Sequence, residues 1–436
     1  MKNVFTLSFI IALRFLGLFI VLPVLSLYAL ELEYSTTFLV GFVMGGYALT
    51  QIVFQIPFGR LSDKVGRKQA VYIGLVIFII GSIVCAMADD IYTLIIGRLI
   101  QGSGAISAVI IAMISDFTIE EKRGKAMAIM GMSIGASFAV SMILGPIIGA
   151  KYGLDKLFIV TAVLSFIALI LMIAKVENPP TISHSYDTKK INIKSLFKDH
   201  KLGRMFLTFF FHSSVVTMAF LIIPIIMNND FLWDRSELWK IYMFAIGMGI
   251  LSMPLAVIFG EIRGRGKEVF LISIALIAIG FVIMTQTSSL VLFICGVMSF
   301  FLGFNMFEPL LQSFVSKYAK IHQKGLSLSV ANTFSYLGAF VGGISGGYIL
   351  QEFGKESLGF FVLGICVLWF FWILTLKRPA SSKNLYLNFD EYNESKLNLL
   401  DNKTGIIEYY TNITQKILVI KYEKEIDEKE IINTIR

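Results

Sequence analysis

Glu308 is the one carboxylate set deep inside an apolar stretch of this chain, and His212 lies in the middle of another. A carboxylate and an imidazole are side chains whose protons can exchange within the physiological range, so both are candidates for carrying one. Arg14 and Arg98 place guanidinium groups inside two further apolar stretches. A guanidinium there must be paired or hydrated, so Arg98 should face the protein interior, and one reading is that it holds backbone carbonyls for structural reasons. Glu308 likewise has two readings, as a proton carrier or as the permanent partner of a base such as Arg14. His212 has a second reading as a satisfied helix contact. Tyr47, Gln51 and Gln55 recur every four residues, and Asn305 stands three before Glu308. On helices each set shares a face, which suits a cavity wall or a helix contact.

The densest polar pattern is Gly59-Arg60-Leu61-Ser62-Asp63-Lys64-Val65-Gly66-Arg67-Lys68, with four cations and one acid between two long apolar runs. Its glycines let backbones approach closely, and Asp63 can pair with the neighbouring cations. Asp116, just ahead of Glu120-Glu121-Lys122-Arg123, belongs with Arg123 to the same loop network. Gly145, Pro146 and Gly149, with Gly131 and Gly135 upstream, permit close packing and bending of a helix.

These residues need helices in a membrane to position them. Of 436 residues, 56% are hydrophobic and only 16% charged, with a mean hydropathy of +0.76, too apolar for an ordinary soluble domain. A spanning helix takes about 20 apolar residues. Twelve runs qualify: 4–29, 37–58, 70–88, 91–114, 125–149, 156–176, 203–227, 238–260, 268–286, 288–313, 326–350 and 357–377. The first run is longer than a signal-peptide core and is expected to stay as a span. Alternate loops hold 20 Lys and Arg against 5 on the other side, which predicts both termini in the cytoplasm. The net charge of +8 is therefore dispersed among loops, which argues for membrane topology and against nucleic acid. Cys85, Cys295 and Cys366 lie in apolar runs without ligand spacing, so neither a disulfide nor a metal is expected.

The Pro-containing polar linker 177–200 divides the runs into halves, 1–176 and 201–377, and is a hinge candidate. Sliding the chain by 201 residues superposes Gly46 on Gly247, Gly59 on Gly260, Gly102 on Gly303, Gly124 on Gly325, Gly145 on Gly346 and Gly153 on Gly354, so the halves read as parallel repeats. In the tail, 378–436, strands are expected at 383–389, 405–410 and 416–422, and helices at 391–402 and 427–435. That order predicts a small α+β ferredoxin-like module lacking its last strand; the alternative is a disordered tail.

The pattern G-x-L-x-D-x-x-G-R-K in the loop resembles the signature of the major facilitator superfamily. RFLGLFIVLPVLSLY at Arg14–Tyr28, YALTQIVFQIPFGRLSDKVGRK at Tyr47–Lys68 and the tail together resemble the YajR branch of its drug:proton antiporter-like transporters. The resemblance implies an all-α membrane protein of twelve helices in two six-helix repeats, working by alternating access. It implies that Asp63, with Gly59, Gly66, Arg67 and Lys68, latches the outward-facing state by facing the helix start at Gly325 and Leu326. A helix N-terminus favours such a carboxylate by about 0.3–1 kcal/mol. It also implies a proton-transfer role for Arg98 in GRLIQGSGA, and matches Gly145-Pro146-Ile147-Ile148-Gly149 to an antiporter motif, although Ser141 and Ala150 replace glycines there. The expectation is proton-coupled export of small hydrophobic or amphipathic molecules across the inner membrane. Its alternatives are uptake of a small polar solute and a membrane sensor with the tail as output. The expected partners are the bilayer, protons and the small-molecule substrate, with self-association or ligand binding through the tail. No phosphate cradle, nucleophilic triad or cofactor motif occurs, so neither an enzyme nor a cofactor is expected.

Overall fold

The computed structural model describes residues 2–179, 196–197, 199–319, 323–376, 382–400, 403–412, 416–423 and 426–435. Most of the expected hinge, 180–195 and 198, lies outside the described residues. The membrane helices are α1 (Lys2–Phe19), α2 (Leu22–Ala29), α3 (Thr37–Val65), α4 (Arg67–Ala86), α5 (Ile91–Ser103), α6 (Ser107–Asp116), α7 (Glu120–Lys175), α8 (His200–Asn229), α9 (Leu238–Val257), α10 (Gly266–Gln286), α11 (Leu290–Tyr318) and α12 (Lys324–Leu374).

Among the described residues ten helical stretches are long and apolar enough to cross a bilayer. Two of them are double. The 56 residues of α7 would run about 84 Å if straight, far beyond the hydrocarbon thickness of about 30 Å. Gly153 breaks α7 with φ +86°, and Gly354 breaks α12 with φ +81°. These are two of the glycines that coincide under the 201-residue offset, and splitting both helices there yields the twelve expected spans.

Two other spans are interrupted where the sequence suggested continuous helices. The first breaks between α1 and α2, because the ring of Pro23 clashes with the carbonyl four residues back, on Phe19, where α1 ends. The fourth breaks at Gly104-Ala105-Ile106, between α5 and α6. That opening frees backbone groups in mid-span, and the site is built on them.

The halves meet along three seams, α2 against α8, α7 against α9, and α3 against α12. One continuous apolar core joins both halves through Ile20–Met44, Ile91 and Met142–Phe158 on the first-half side. A second core, with Val4, Leu7, Phe58, Val71, Val109 and Met172, contains first-half residues alone and lies toward the Gly59–Lys68 loop. Among the described residues the core shared by both halves therefore lies at the end remote from the loop, and the core near the loop is the first half's own.

The tail forms β1 (Ser382–Asn388), β2 (Ile406–Asn412), β3 (Ile417–Glu423) and α13 (Glu428–Ile435), with the antiparallel sheet ordered β1-β3-β2. The helix expected at 391–402 is instead two 3-10 segments, Phe389–Glu391 and Glu394–Leu400. Asn388 and Glu391 close a capping box around the first. In the second, Leu397 and Leu400 stand three apart and are both buried, which a three-residue turn achieves by stacking them on one side.

Candidate functional site

Arg14 and Arg98 anchor one buried network in the first half. Arg14, fully buried, donates from Nη2 to the Gly104 carbonyl at 2.8 Å and to the Tyr47 hydroxyl at 3.0 Å, and from Nη1 to Ser107 Oγ at 3.3 Å. The break between α5 and α6 supplies that carbonyl. Gln51 donates to the same Tyr47 hydroxyl at 2.6 Å. Arg98 stacks on the Tyr47 ring at 5.4 Å, donates to Gln101 Oε1 at 2.9 Å and to the Val43 carbonyl at 3.3 Å, and Gln101 donates to Ser82 at 2.9 Å. Tyr336, from α12 in the other half, brings its phenol up to Ser107. Among the described residues neither arginine forms an ion pair, so the expected alternative of an Arg14–Glu308 pair is not formed.

The second half places its candidates apart. Glu308 is surrounded by protein yet accessible, as expected of a cavity wall. Asn305 does not share that exposure: it is buried, donates to the Phe301 carbonyl at 2.8 Å and fills the space beside Gly249. Three residues along a helix is about 60° short of a full turn, enough to separate them. Gln55 is not joined to Tyr47 and Gln51, and meets Thr333 of α12 across the seam at 3.5 Å. His212 is buried in an aromatic cage, stacked on Phe304 at 5.1 Å with Phe307 at 5.4 Å and Trp369 at 6.4 Å, and its Nε2 has no partner among the described residues.

Around the loop, Gly66 turns α3 into α4 with φ +98°, a conformation that favours glycine. Asp63 is 67% exposed and paired with Arg67 at 2.8 Å, while Arg67 also bonds Ser62 at 2.7 Å and the largely buried Asp116 at 3.2 Å. Lys68 caps the end of α7 at the Val176 carbonyl, 2.7 Å away. Arg123 is half-buried, and its Nε and Nη2 have no partner among the described residues. Among the described residues a Cβ on Gly59, Gly124, Gly131, Gly135 or Gly325 would meet nothing within 4 Å, so no described residue packs on these positions. At the remote end Phe38 N donates to Gln351 at 3.0 Å, Tyr242 donates to the Pro23 carbonyl at 3.2 Å, and Phe42 packs on Phe340 at 5.7 Å. The Gly145 motif is a packing device: a Cβ there would lie 2.2 Å from the Ile20 carbonyl, and Gly149 lies against Leu157 and Tyr28.

The Major Facilitator Superfamily model matches residues 7–234 and 205–397. The chain belongs to the major facilitator superfamily. It is 35% identical over 384 residues to the inner membrane transport protein YajR of Escherichia coli (strain K12), covering 86% of this chain and 83% of that one. It is 26% identical over 371 residues to the quinolone resistance protein NorA of Staphylococcus aureus (strain MRSA252), covering 80% and 90%. The crystal structure of the nucleoside transporter NupG shares its fold, with a TM-score of 0.68 at 16% identity over 86% of this chain and 99% of that one. The chain is thus a multi-pass membrane transporter and not an enzyme.

The offset that superposes the glycines places Asp116 on Lys317, of opposite charge; Asp116 pairs with Arg67, and Lys317 with Glu261, which answers to Arg60 and not to Arg67. Ser107, Gly104 and Tyr336 were not singled out from the sequence. The signals that could have found them are the glycines on either side of Ser103, which weaken a helix there, and the polar residues Asn332, Thr333 and Tyr336 at helical spacing.

Proposed function

We propose that this transporter exports small amphipathic molecules in exchange for protons by alternating access. The observation that carries the reading is Glu308: an accessible carboxylate in mid-span, in a molecule whose halves share a core at the end of the seam remote from the loop. A carboxylate so placed can be reached from one side at a time, which coupled exchange requires. The quinolone resistance relative favours export as the direction.

In this reading the cation-rich loops and both termini are cytoplasmic, so the molecule is inward-facing, with halves 1–176 and 201–377, a linker 177–200 and a tail 378–436. Asp63, free of the Gly325 helix start and held by Arg67, is the released latch; closing the loop end would bring it to that start. Glu308 carries the proton, with His212 as a second titratable group, and the Arg14–Tyr47–Arg98 network lines the substrate path with Gln51. The tail's strand order β1-β3-β2 supports a ferredoxin-like module.

The test is reconstitution of the full chain in liposomes with an imposed pH gradient. Labelled amphipathic compounds should move against their own gradient only while the pH gradient lasts, and flux indifferent to that gradient would refute proton coupling.

A further inference from the structure

We infer that the break in the fourth span is a subsite for the anionic head, a carboxylate or sulfonate, of an aromatic amphiphile. The inference rests on the transporter reading above and narrows its substrate class.

Arg14 and Arg98 are 0% and 1% exposed, and among the described residues no carboxylate pairs with either. A withdrawn charge is ordinarily retained with a counter-charge, so two such cations sharing one tyrosine leave a place for a visiting anion. Arg14 presents five donor hydrogens, and its Nε remains unpartnered inside the protein. A clamp needed only to hold the Gly104 carbonyl would require a single donor.

The break adds a second attraction. Helix α6 begins at Ser107 with no side-chain cap, so its first N–H groups are unclaimed there and its positive end lies beside Arg14. Ser107 and Tyr336 are only partly buried and meet from opposite halves, so the edge of the network lies on the seam. Aromatic rings continue from this point: Arg14 lies over Phe78 at 5.0 Å and Phe15 at 5.7 Å, Phe15 meets Phe19 at 5.2 Å, Phe19 meets Phe138 at 5.4 Å, and Phe138 reaches Phe304 of the other half at 5.9 Å. An aryl group would stack on those rings with its acidic head at Arg14. An ammonium head would instead meet two guanidinium groups and a helix N-terminus.

The experiment compares equilibrium binding of 2-naphthalenesulfonate, the neutral 2-naphthalenesulfonamide and the cationic (2-naphthyl)trimethylammonium to the purified full chain. The sulfonate should bind at least tenfold tighter than either isostere. Arg14→Met should erase the preference, Arg14→Lys should keep part of it, and Ser107→Ala should weaken sulfonate binding severalfold. Chromatography and thermal unfolding check that each variant is folded; if Arg14→Met is not, the lysine and Ser107 variants decide. No sulfonate binding, equal binding of the three probes, or a preference unchanged in the Arg14 and Ser107 variants would overturn the subsite. Liposomes separate this outcome from the transporter reading. If the pH gradient drives the cationic probe and not the sulfonate, the subsite fails and export stands. If neither probe moves while sulfonate binding depends on Arg14, proton-coupled export fails and the subsite stands.

Discussion

A guanidinium costs about 2.5–3.5 kcal/mol at the centre of a membrane helix, so Arg14 and Arg98 persist only because their surroundings offset that cost. Two carbonyls, a tyrosine, a glutamine, a serine and several aromatic faces do so. Glu308 is also surrounded by protein but remains accessible, and that accessibility gives it a different task. Glu308→Gln should leave counterflow within about twofold of wild type and remove at least about tenfold of gradient-driven accumulation, since a tenfold change corresponds to about 1.4 kcal/mol of coupling. Retained accumulation in reconstituted liposomes would exclude Glu308 as the carrier. Asp63 is a weaker element. Its exposed pair with Arg67 is worth less than about 1 kcal/mol, so releasing it is easy, and the helix-end contact it would make is of similar size. Asp63→Asn should therefore shift the balance between states severalfold and slow transport while membrane insertion is unchanged; wild-type flux in that variant would remove the latch from the mechanism. The sequence made Glu308, Arg14, Arg98 and Asp63 visible because charge in an apolar run, or a dense loop pattern, stands out without coordinates. It did not reveal Ser107 or Tyr336, since a lone serine or tyrosine in an apolar helix is unremarkable until its neighbour across the seam is known. Nor did it separate Asn305 from Glu308, because a spacing of three leaves the facing of each undetermined at the edge of a polar stripe.

At the level of elements, helix breaks organise the site and glycine organises the repeats. Gly153 and Gly354 both sit near φ +80°, ψ 180°, a region closed to side-chain-bearing residues at a cost of about 1–3 kcal/mol. Gly153→Ala and Gly354→Ala should each lower the thermal unfolding midpoint of the purified chain, and the double variant should show the sum of the two losses because the sites lie in different halves. An unchanged midpoint in both would mean that the backbone relaxes there. Matching glycines were legible in sequence as a repeat, but the breaks at Phe19–Leu22 and Gly104–Ile106 were hidden, since hydropathy records apolar length and not hydrogen-bond continuity. The tail shows the opposite limitation: strands alternated clearly, whereas Leu397 and Leu400 suit an α-helix and a 3-10 turn equally. The tail also touches the membrane region, with Lys421 of β3 donating to the Lys317 carbonyl at 3.2 Å. Burial, and then Lys324 nearby, lower the pKa of Lys421 below its ordinary 10.5, against an opposing effect of Glu408. Folded tail thus releases this proton at lower pH than unfolded tail, so Lys421 contributes increasing stability as pH rises toward 10.5, and its burial penalty is complete below that window. Proteolytic susceptibility of the tail should carry this component in wild type and lose it in Lys421→Met; identical pH profiles would contradict the assignment.

On the scale of the whole molecule, one apolar core crosses the seam at the end remote from the loop, while the first half keeps a separate core at the loop end. In the proposed reading this arrangement is one state of an alternating cycle, whose other state exchanges the packed and open ends. Composition and charge distribution gave the spans and their two-fold grouping in advance, because a bilayer demands long apolar runs whatever their packing. Which end of the seam is closed was not legible, since both ends are built from the same small and aromatic residues and the difference is conformational. The most direct measurement of the central claim is a pair of spin-label distances in the reconstituted full chain, one between Lys64 and Gly325 at the loop end and one between Thr37 and Glu352 at the remote end. Cys295, the exposed cysteine, would be replaced by serine, and Cys85 and Cys366 are buried. When pH or substrate is changed, the loop-end distance should shorten as the remote-end distance lengthens. Two distances that stay fixed under every condition, or that lengthen and shorten together, would contradict alternating access in this protein.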